Sequence, residues 1–303
     1  MSALRRVGVR LLGAPAAGLA GTVLRLSPRR AGVVLLYHSI AVRSGDPARE
    51  LVPPHRVDLF AGQLRHLRRW YRVVDAVDLL EAVRRRRRFG RFPVAITFDD
   101  DLQSHVLHAL PTLTETGLRA TFFICGASLD APFAFWWERL QRRHDGNGSG
   151  DIHAEAEALI AMSPPERRAA VAGLEPDETP PDAGLRRADV RALVESGMTV
   201  GFHTRDHEPL SSLDDAALHR ALRDGRHELE ELVGARLAAI AYPHGARDDR
   251  VPAAARAAGF DAGFTASGDA VLPDSDPAAI PRIIPSHESV GRFAVRLVRE
   301  LRG

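Results

Sequence analysis

Continuous apolar runs alternate with stretches of helical periodicity along most of this chain. The run "GVVLLYH" at 32–38 predicts a buried strand, and Leu59, Phe60, Leu64 and Leu67 recur at helical spacing through Leu59–Trp70. A short strand at 72–74, a helix over Ala76–Arg86 and the strand "FPVAITF" follow. Ser104–Thr116 reads as a helix and "RATFFIC", 119–125, as a strand. Helix Arg187–Ser196 precedes the strand "MTVGFH" at 198–203, and helix Asp214–Val233 precedes "LAAIAYP" at 237–243. Helix Arg250–Ala258 precedes "DAGFTAS" at 261–267. Strands that alternate with helices imply parallel βαβ units. Six or seven such units in one chain predict an α/β fold, a distorted, TIM-like (β/α)7-type barrel.

Residues 127–186 break the alternation. They hold "FAFWWERL", the loop "DGNGSGD" and a Pro-rich polar tract. This predicts an insertion between barrel strands, roofing the mouth and selecting substrate, within a single domain at 32–303. Residues 1–31 read as an amphipathic or flexible N-terminal segment. Its apolar stretch Leu11–Leu24 follows Arg5, Arg6 and Arg10, is interrupted by Pro15, and is too short to span a bilayer. A signal peptide and an amphipathic helix touching a membrane surface both fit it. The reading favours a cytoplasmic or peripherally membrane-associated protein over a secreted one.

Composition narrows this picture. The 41 basic residues are all arginine and nearly balance 39 acidic ones, for a net charge of +2. No bulk field draws nucleic acid, and nucleic acid is not expected as a partner. The run Arg84–Arg88 reads as a solvated loop or helix end before the next strand. Cys125 is the single cysteine, so no intrachain disulfide forms, and its apolar surroundings make it a small core residue.

The candidate chemistry lies at strand ends. The strand "VAITF" runs directly into Asp99, Asp100 and Asp101, like charges that repel unless something neutralises them. His203 and His207 follow a later strand at i, i+4 spacing, His244 follows another in "AYPHG", and His38 ends the first. Parallel barrels gather their active sites at that end of the sheet. Two imidazoles and a carboxylate form a catalytic zinc set with a position left open. A divalent metal would also make the adjacent carboxylates tolerable.

These motifs resemble the polysaccharide deacetylases, carbohydrate esterase family 4 with its chitooligosaccharide-deacetylase homology domain. The resemblance rests on "TFDD" after one strand, "H-x-x-x-H-x-x-L" after a second and "YPxG" after a third, and spans about residues 33–285. It implies a metal-dependent hydrolase that removes acetyl groups from an N-acetylated polysaccharide, oligosaccharide or glycan precursor. By position, Asp99 matches the family's general base, and Asp100, His203 and His207 match its metal ligands. Zn²⁺ is the implied cofactor, with Co²⁺ or Ni²⁺ also compatible with such ligands. His244 occupies the place of the residue whose backbone N–H holds the oxyanion.

The chain also departs from the family pattern. Asp101 stands where Gly is usual, which adds charge at a turn and predicts that Asp101→Gly spares the metal. Ala241 stands where many members have an Arg that orients the base, and Arg282 in "IPRIIP" is the candidate substitute. The late Leu-x-His motif that carries the general acid is missing, leaving His287, His244 and His38 as candidates. His38, Tyr242, Asp101 and Trp136 are the candidate substrate-binding residues. Two alternatives to a deacetylase stay open: a catalytically weak glycan-binding member of the fold, and an amidase acting on a non-sugar substrate.

Overall fold

Seven parallel strands form a strongly curled sheet in the computed structural model, which describes residues 25–147, 150–174, 179–180 and 183–303. The strands of the chain are β1 (Val33–Tyr37), β2 (Ile40–Ala41), β3 (His55–Arg56), β4 (Arg72–Val73), β5 (Pro93–Asp99), β6 (Thr121–Ile124), β7 (Thr199–Phe202), β8 (Ala239–Ala241) and β9 (Ala262–Phe264). The sheet runs β1-β5-β6-β7-β8-β9, with β4 on the early part of β5, while β2 and β3 pair apart from it. β1 and β5 are buried along their whole length, as strands covered on both faces must be.

Alternation along the strands divides the apolar side chains into two cores. Val33, Leu35, Tyr37, Val94, Ile96 and Phe98 pack outward beneath the helices. Val34, Ala95, Phe123, Ala239, Ala241 and Phe264 pack inward. The inward set is mostly small because the curl leaves little room. Gly201 of β7 is an example: a Cβ there would lie 2.5 Å from the ring of Phe123.

The edges β1 and β9 are joined by the segment 280–283. Ile280 bridges to Phe264 and Ile283 to Leu35, both parallel. The Ile280 N–H donates to Gly263 and the Ile283 N–H to Val34, so this segment takes the place of a further strand. It carries Arg282 into the barrel. The predicted α/β barrel is therefore present as a curled parallel sheet closed by a connector.

Several local expectations are corrected. The single helix expected over Asp214–Val233 is two, Asp215–Ala221 and Arg226–Val233, divided where Gly225 takes φ +79°. The helix expected from Ser104 begins as a π-helical turn, His105–Ala109, before Leu110–Thr116. Helix Val290–Arg302, packed inward through Phe293, Leu297 and Leu301, escaped the sequence reading. The insertion holds helices Trp136–Asn147, Ile152–Ala161 and Pro164–Ala172, the last two in a tract that had read as polar and Pro-rich. Leu140, Ile152, Ala156, Leu159 and Leu174 give it a small core of its own. β6 and β7, which flank it in sequence, pair in register from Thr121 with Thr199 to Ile124 with Phe202. Most of the N-terminal segment, 1–24, lies outside the described residues. Among the described residues no helix is long and apolar enough to cross a membrane.

Candidate metal centre and active site

Asp99 ends β5 on the inward face, two residues beyond Thr97. Its neighbour would point outward if the strand continued. Instead Asp100 takes φ +77° and turns its carboxylate back to the same mouth. Among the described residues five non-glycine residues have positive φ, and Asp100, Thr204, His207 and His244 are four of them. Such conformations persist where surrounding contacts hold them, and here they cluster on one site.

Asp100, His203 and His207 are all buried, with one ligand atom from each lying within 4.8 Å of the others. Asp100 Oδ1 is 3.5 Å from His203 Nε2 and 3.3 Å from His207 Nε2. That oxygen is buried and has no hydrogen-bond partner among the described residues. His203 Nδ1 lies 2.8 Å from the Ala241 carbonyl, so an N–H there fixes the ring and turns the Nε2 lone pair toward Asp100. Burial pushes the pKa of His203 down to about 4 and that of His207 down to about 3. Both rings are therefore neutral at neutral pH, the form that ligates metal. An unpartnered anionic oxygen between two neutral imidazoles fits a divalent cation, and these three residues would hold it.

Asp99 stands beside this set, its Oδ2 3.7 Å from His203 Nε2. Arg282 grips it with two parallel bonds, Nη1 to Oδ1 at 2.6 Å and Nη2 to Oδ2 at 2.7 Å. Arg282 Nε also donates to the Thr265 carbonyl at 2.9 Å, and Nη1 to Thr97 Oγ1 at 3.3 Å. Burial alone would raise the Asp99 carboxyl, but the guanidinium overrides it and holds the group well below the usual carboxylate range. Arg282 thus reaches Asp99 from the segment that closes the sheet, while Ala241 contributes a carbonyl to His203.

A cavity of about 290 Å³ opens over these groups, lined by Asp99, Asp100, His203, His207 and Arg282 together with His38, His244 and Trp136. The other site candidates are placed elsewhere. Asp101 is corrected from a substrate contact to an anchor. Its buried carboxylate accepts the N–H groups of Cys125 at 2.8 Å, Gly126 at 3.2 Å, Ala127 at 2.9 Å and Ser128 at 3.4 Å, and the Ser128 hydroxyl at 3.2 Å. The positive φ of this turn falls on Asp100 and not on Asp101. The Tyr242 side chain is also corrected: it is buried in the core and donates to the Ala278 carbonyl at 2.7 Å. His287 lies against His55, ring centroids 3.6 Å apart, and is not among the residues that line the cavity.

The insertion meets the metal set directly, which the sequence reading missed. The Trp137 ring lies 4.5 Å from the His207 ring and stacks on Phe135 at 4.4 Å. Buried Arg167 pairs with Glu208, next in chain to His207, with Nε donating at 3.1 Å. Ser128 and Leu185, the two ends of the insertion, meet at Asp101: Ser128 Oγ donates to the Leu185 carbonyl, and the Leu185 N–H to the Asp101 carbonyl. The tandem tryptophans were the available signal. The Arg167–Glu208 pair, 41 residues apart, had none.

The polysaccharide deacetylase family model matches residues 86–263, more than half of the sequence. The chain belongs to the polysaccharide deacetylase family. No curated protein sequence matches it significantly. Among solved structures it is similar to the Streptococcus pyogenes deacetylase PplD in complex with acetate, with 18% identity and a TM-score of 0.65, over 90% of this chain and 99% of that one. IcaB from Ammonifex degensii is similar at 20% identity and TM-score 0.57, over 88% and 97%. The deacetylase domain of BpsB from Bordetella bronchiseptica is similar at 19% identity and TM-score 0.55, over 84% and 96%. At these identities the likeness is one of fold.

Proposed function

We propose that this protein is a metal-dependent deacetylase that hydrolyses the N-acetyl group of an amino sugar in a glycan or glycan precursor. The observation that carries the reading is the buried, unpartnered Asp100 oxygen facing two neutral imidazoles, with an ionised carboxylate beside it. Two nitrogens and one oxygen suit Zn²⁺, and Co²⁺ or Ni²⁺ accept the same donors. Held there, the ion supplies an electrophile for the acetyl carbonyl and makes a water acidic enough to lose its proton near neutral pH.

The chain's own groups do the rest. Asp99, kept ionised by Arg282, accepts the proton of the attacking water. The two-pronged contact fixes the carboxylate plane, so one of its oxygens stays aimed at the mouth. The amine leaves only if it gains a proton, and an imidazole at the mouth supplies it. His38 and His244 both line the cavity; burial holds the His244 pKa well below the ordinary histidine value, which leaves His38 as the candidate, and His287 packs against His55 instead. The deacetylase bound to acetate among the similar structures supports the reaction class.

Metal content measured with turnover tests this reading. The protein loaded with Zn²⁺ or Co²⁺ should release acetate from N-acetylhexosamine glycosides or oligomers, and stripping the metal should abolish release. A loaded protein that binds these sugars without turnover would be a catalytically weak binder. One that hydrolyses only small amides or imides would be an amidase on this scaffold.

A further inference from the structure

The catalytic groups supply most of the hydrogen-bonding side chains that line the cavity, and the indole N–H groups of Trp136 and Trp137 are the others. Asp99, Asp100, His203, His207 and Arg282 with His38 and His244 make its floor and mouth, and the rest of the lining is aliphatic side chains, Gly245 and the rings of Trp136 and Trp137. Leu51 and Val52 form one wall, Trp136 and Ile160 of the insertion another, and Ile284 of the closing segment a third. Among the described lining residues there is no serine, threonine, asparagine, glutamine or glutamate. Ile160 is 38% exposed and Ile284 48% exposed, so large apolar groups stand in water at the rim of the site.

This lining discriminates between kinds of substrate. A hydroxyl buried against its aliphatic walls loses water and gains no side-chain partner, on the order of a tenfold or larger loss in affinity for each. A neighbouring sugar ring in a polysaccharide brings several hydroxyls. An alkyl chain brings none and gains from every carbon it buries. The tryptophan ring suits the C–H face of a single sugar, and the aliphatic rim suits what is attached to it.

We infer that the substrate is a single N-acetylated amino sugar bearing an apolar aglycone, an alkyl or isoprenoid chain, which lies along Leu51, Val52, Ile160 and Ile284. The inference rests on the deacetylase reading for the sugar and on the cavity walls for the aglycone.

The test compares methyl, butyl and octyl glycosides of N-acetylglucosamine, below their micelle-forming concentrations, with N-acetylglucosamine oligomers. With Zn²⁺-loaded protein, kcat/KM should rise on the order of threefold per methylene, and the oligomers should do no better than the methyl glycoside. Calorimetry on the metal-free protein should show the same order in affinity. Ile160→Asn combined with Ile284→Asn should lower the octyl-to-methyl ratio about tenfold. Equal handling of octyl and methyl glycosides, or a preference for oligomers, would overturn the inference and leave the deacetylase reading standing. Failure to hydrolyse any acetylated sugar would overturn the deacetylase reading, and the calorimetric order would still decide the aglycone.

Discussion

Arg282 and Asp99 are 183 residues apart in the chain and meet as a two-pronged ion pair inside the barrel. The pair is possible because the segment 280–283 bridges β9 to β1 and delivers its arginine to the end of β5. Both side chains are buried, and Thr97, Thr265 and Asp99 together take up Nε, Nη1 and Nη2 of the guanidinium. A buried pair with its donors satisfied contributes definite geometry more than net stability. Here that geometry is the orientation and charge of the proposed base.

Arg282→Met should therefore act on both stability and pH dependence. It leaves the Asp99 charge buried and unpaired, at a cost of roughly 3–5 kcal/mol in denaturant unfolding. With its carboxyl held low in the wild type, Asp99 contributes stability above the unfolded carboxylate pKa that is lost as pH falls through the folded value. Without the guanidinium that pKa rises, so the acid limb of kcat/KM should move to higher pH. Arg282→Lys keeps a charge but not the two parallel bonds, and should fall between the two. An acid limb that stays in place in Arg282→Met would remove Asp99 from the role of base.

Asp99 and Asp100 are adjacent, and metal content separates their roles. Asp100→Asn removes the unpartnered anionic oxygen between His203 and His207 and should empty the site at metal concentrations that saturate the wild type. Asp99→Asn should retain the metal and lower kcat by roughly 10²–10⁴. If Asp99→Asn loses the metal while Asp100→Asn keeps it, the assignments are exchanged.

Asp101→Gly, read from the sequence as harmless to the metal, now carries a structural penalty. Four backbone N–H groups at the neck of the insertion would lose their acceptor. The expected destabilisation is at least about 3 kcal/mol, since each buried donor left unpaired costs about 1–3 kcal/mol. Proteolysis should open the insertion of the variant before the barrel. A variant as stable as the wild type would mean that the neck is held by other contacts.

These residues show what the sequence could and could not reveal. The strand-end position of Asp99, Asp100, His203 and His207 was legible because strand periodicity and i, i+4 spacing are local properties. The inward pairing of Arg282 with Asp99 was legible only as a candidate, since a lone arginine among 41 basic residues carries little information. Asp101 was misread because its partners at 125–128 follow the next strand, and nothing in "FDDDL" marks which carboxylate faces the substrate. Helix Val290–Arg302 was missed, although its buried face repeats at Phe293, Ala294, Leu297 and Leu301. The closing segment 280–283 is bridged rather than laddered, too short to read as a strand.

Arg167 does not line the cavity, yet it should affect metal affinity. It pairs with Glu208, and it also donates to the carbonyls of Ile160 at 3.0 Å and Met162 at 3.3 Å, which ties the insertion to the turn that holds His207 at φ +49°. Arg167→Ala should weaken Zn²⁺ binding about 10–100-fold, the usual effect of losing a partner behind a ligand. The apo protein should keep its far-ultraviolet circular dichroism spectrum. Arg167→Lys should restore part of the affinity through its charge. Unchanged metal affinity with a changed choice of glycan would return the insertion to a purely substrate-selecting role.

Glu138 provides a pH test that does not touch the ligands. It lies on the first helix of the insertion and accepts the Phe135 N–H at 2.9 Å. Burial raises its pKa to about 7, opposed by that hydrogen bond and assisted by the nearby charge of Asp100. The folded state therefore binds a proton more tightly than the unfolded state, whose glutamate titrates near 4.5. Stability from this group is complete below about pH 4.5 and declines as pH rises to about 7, where the carboxylate must be carried ionised while partly withdrawn from water. Glu138→Gln keeps an acceptor for Phe135 and removes the titration. Its Tm should exceed the wild type's at pH 8 and match or fall below it at pH 5, with the two curves converging between them. A constant difference in Tm across pH 5–8 would show that Glu138 ionises in the folded protein as it does in water.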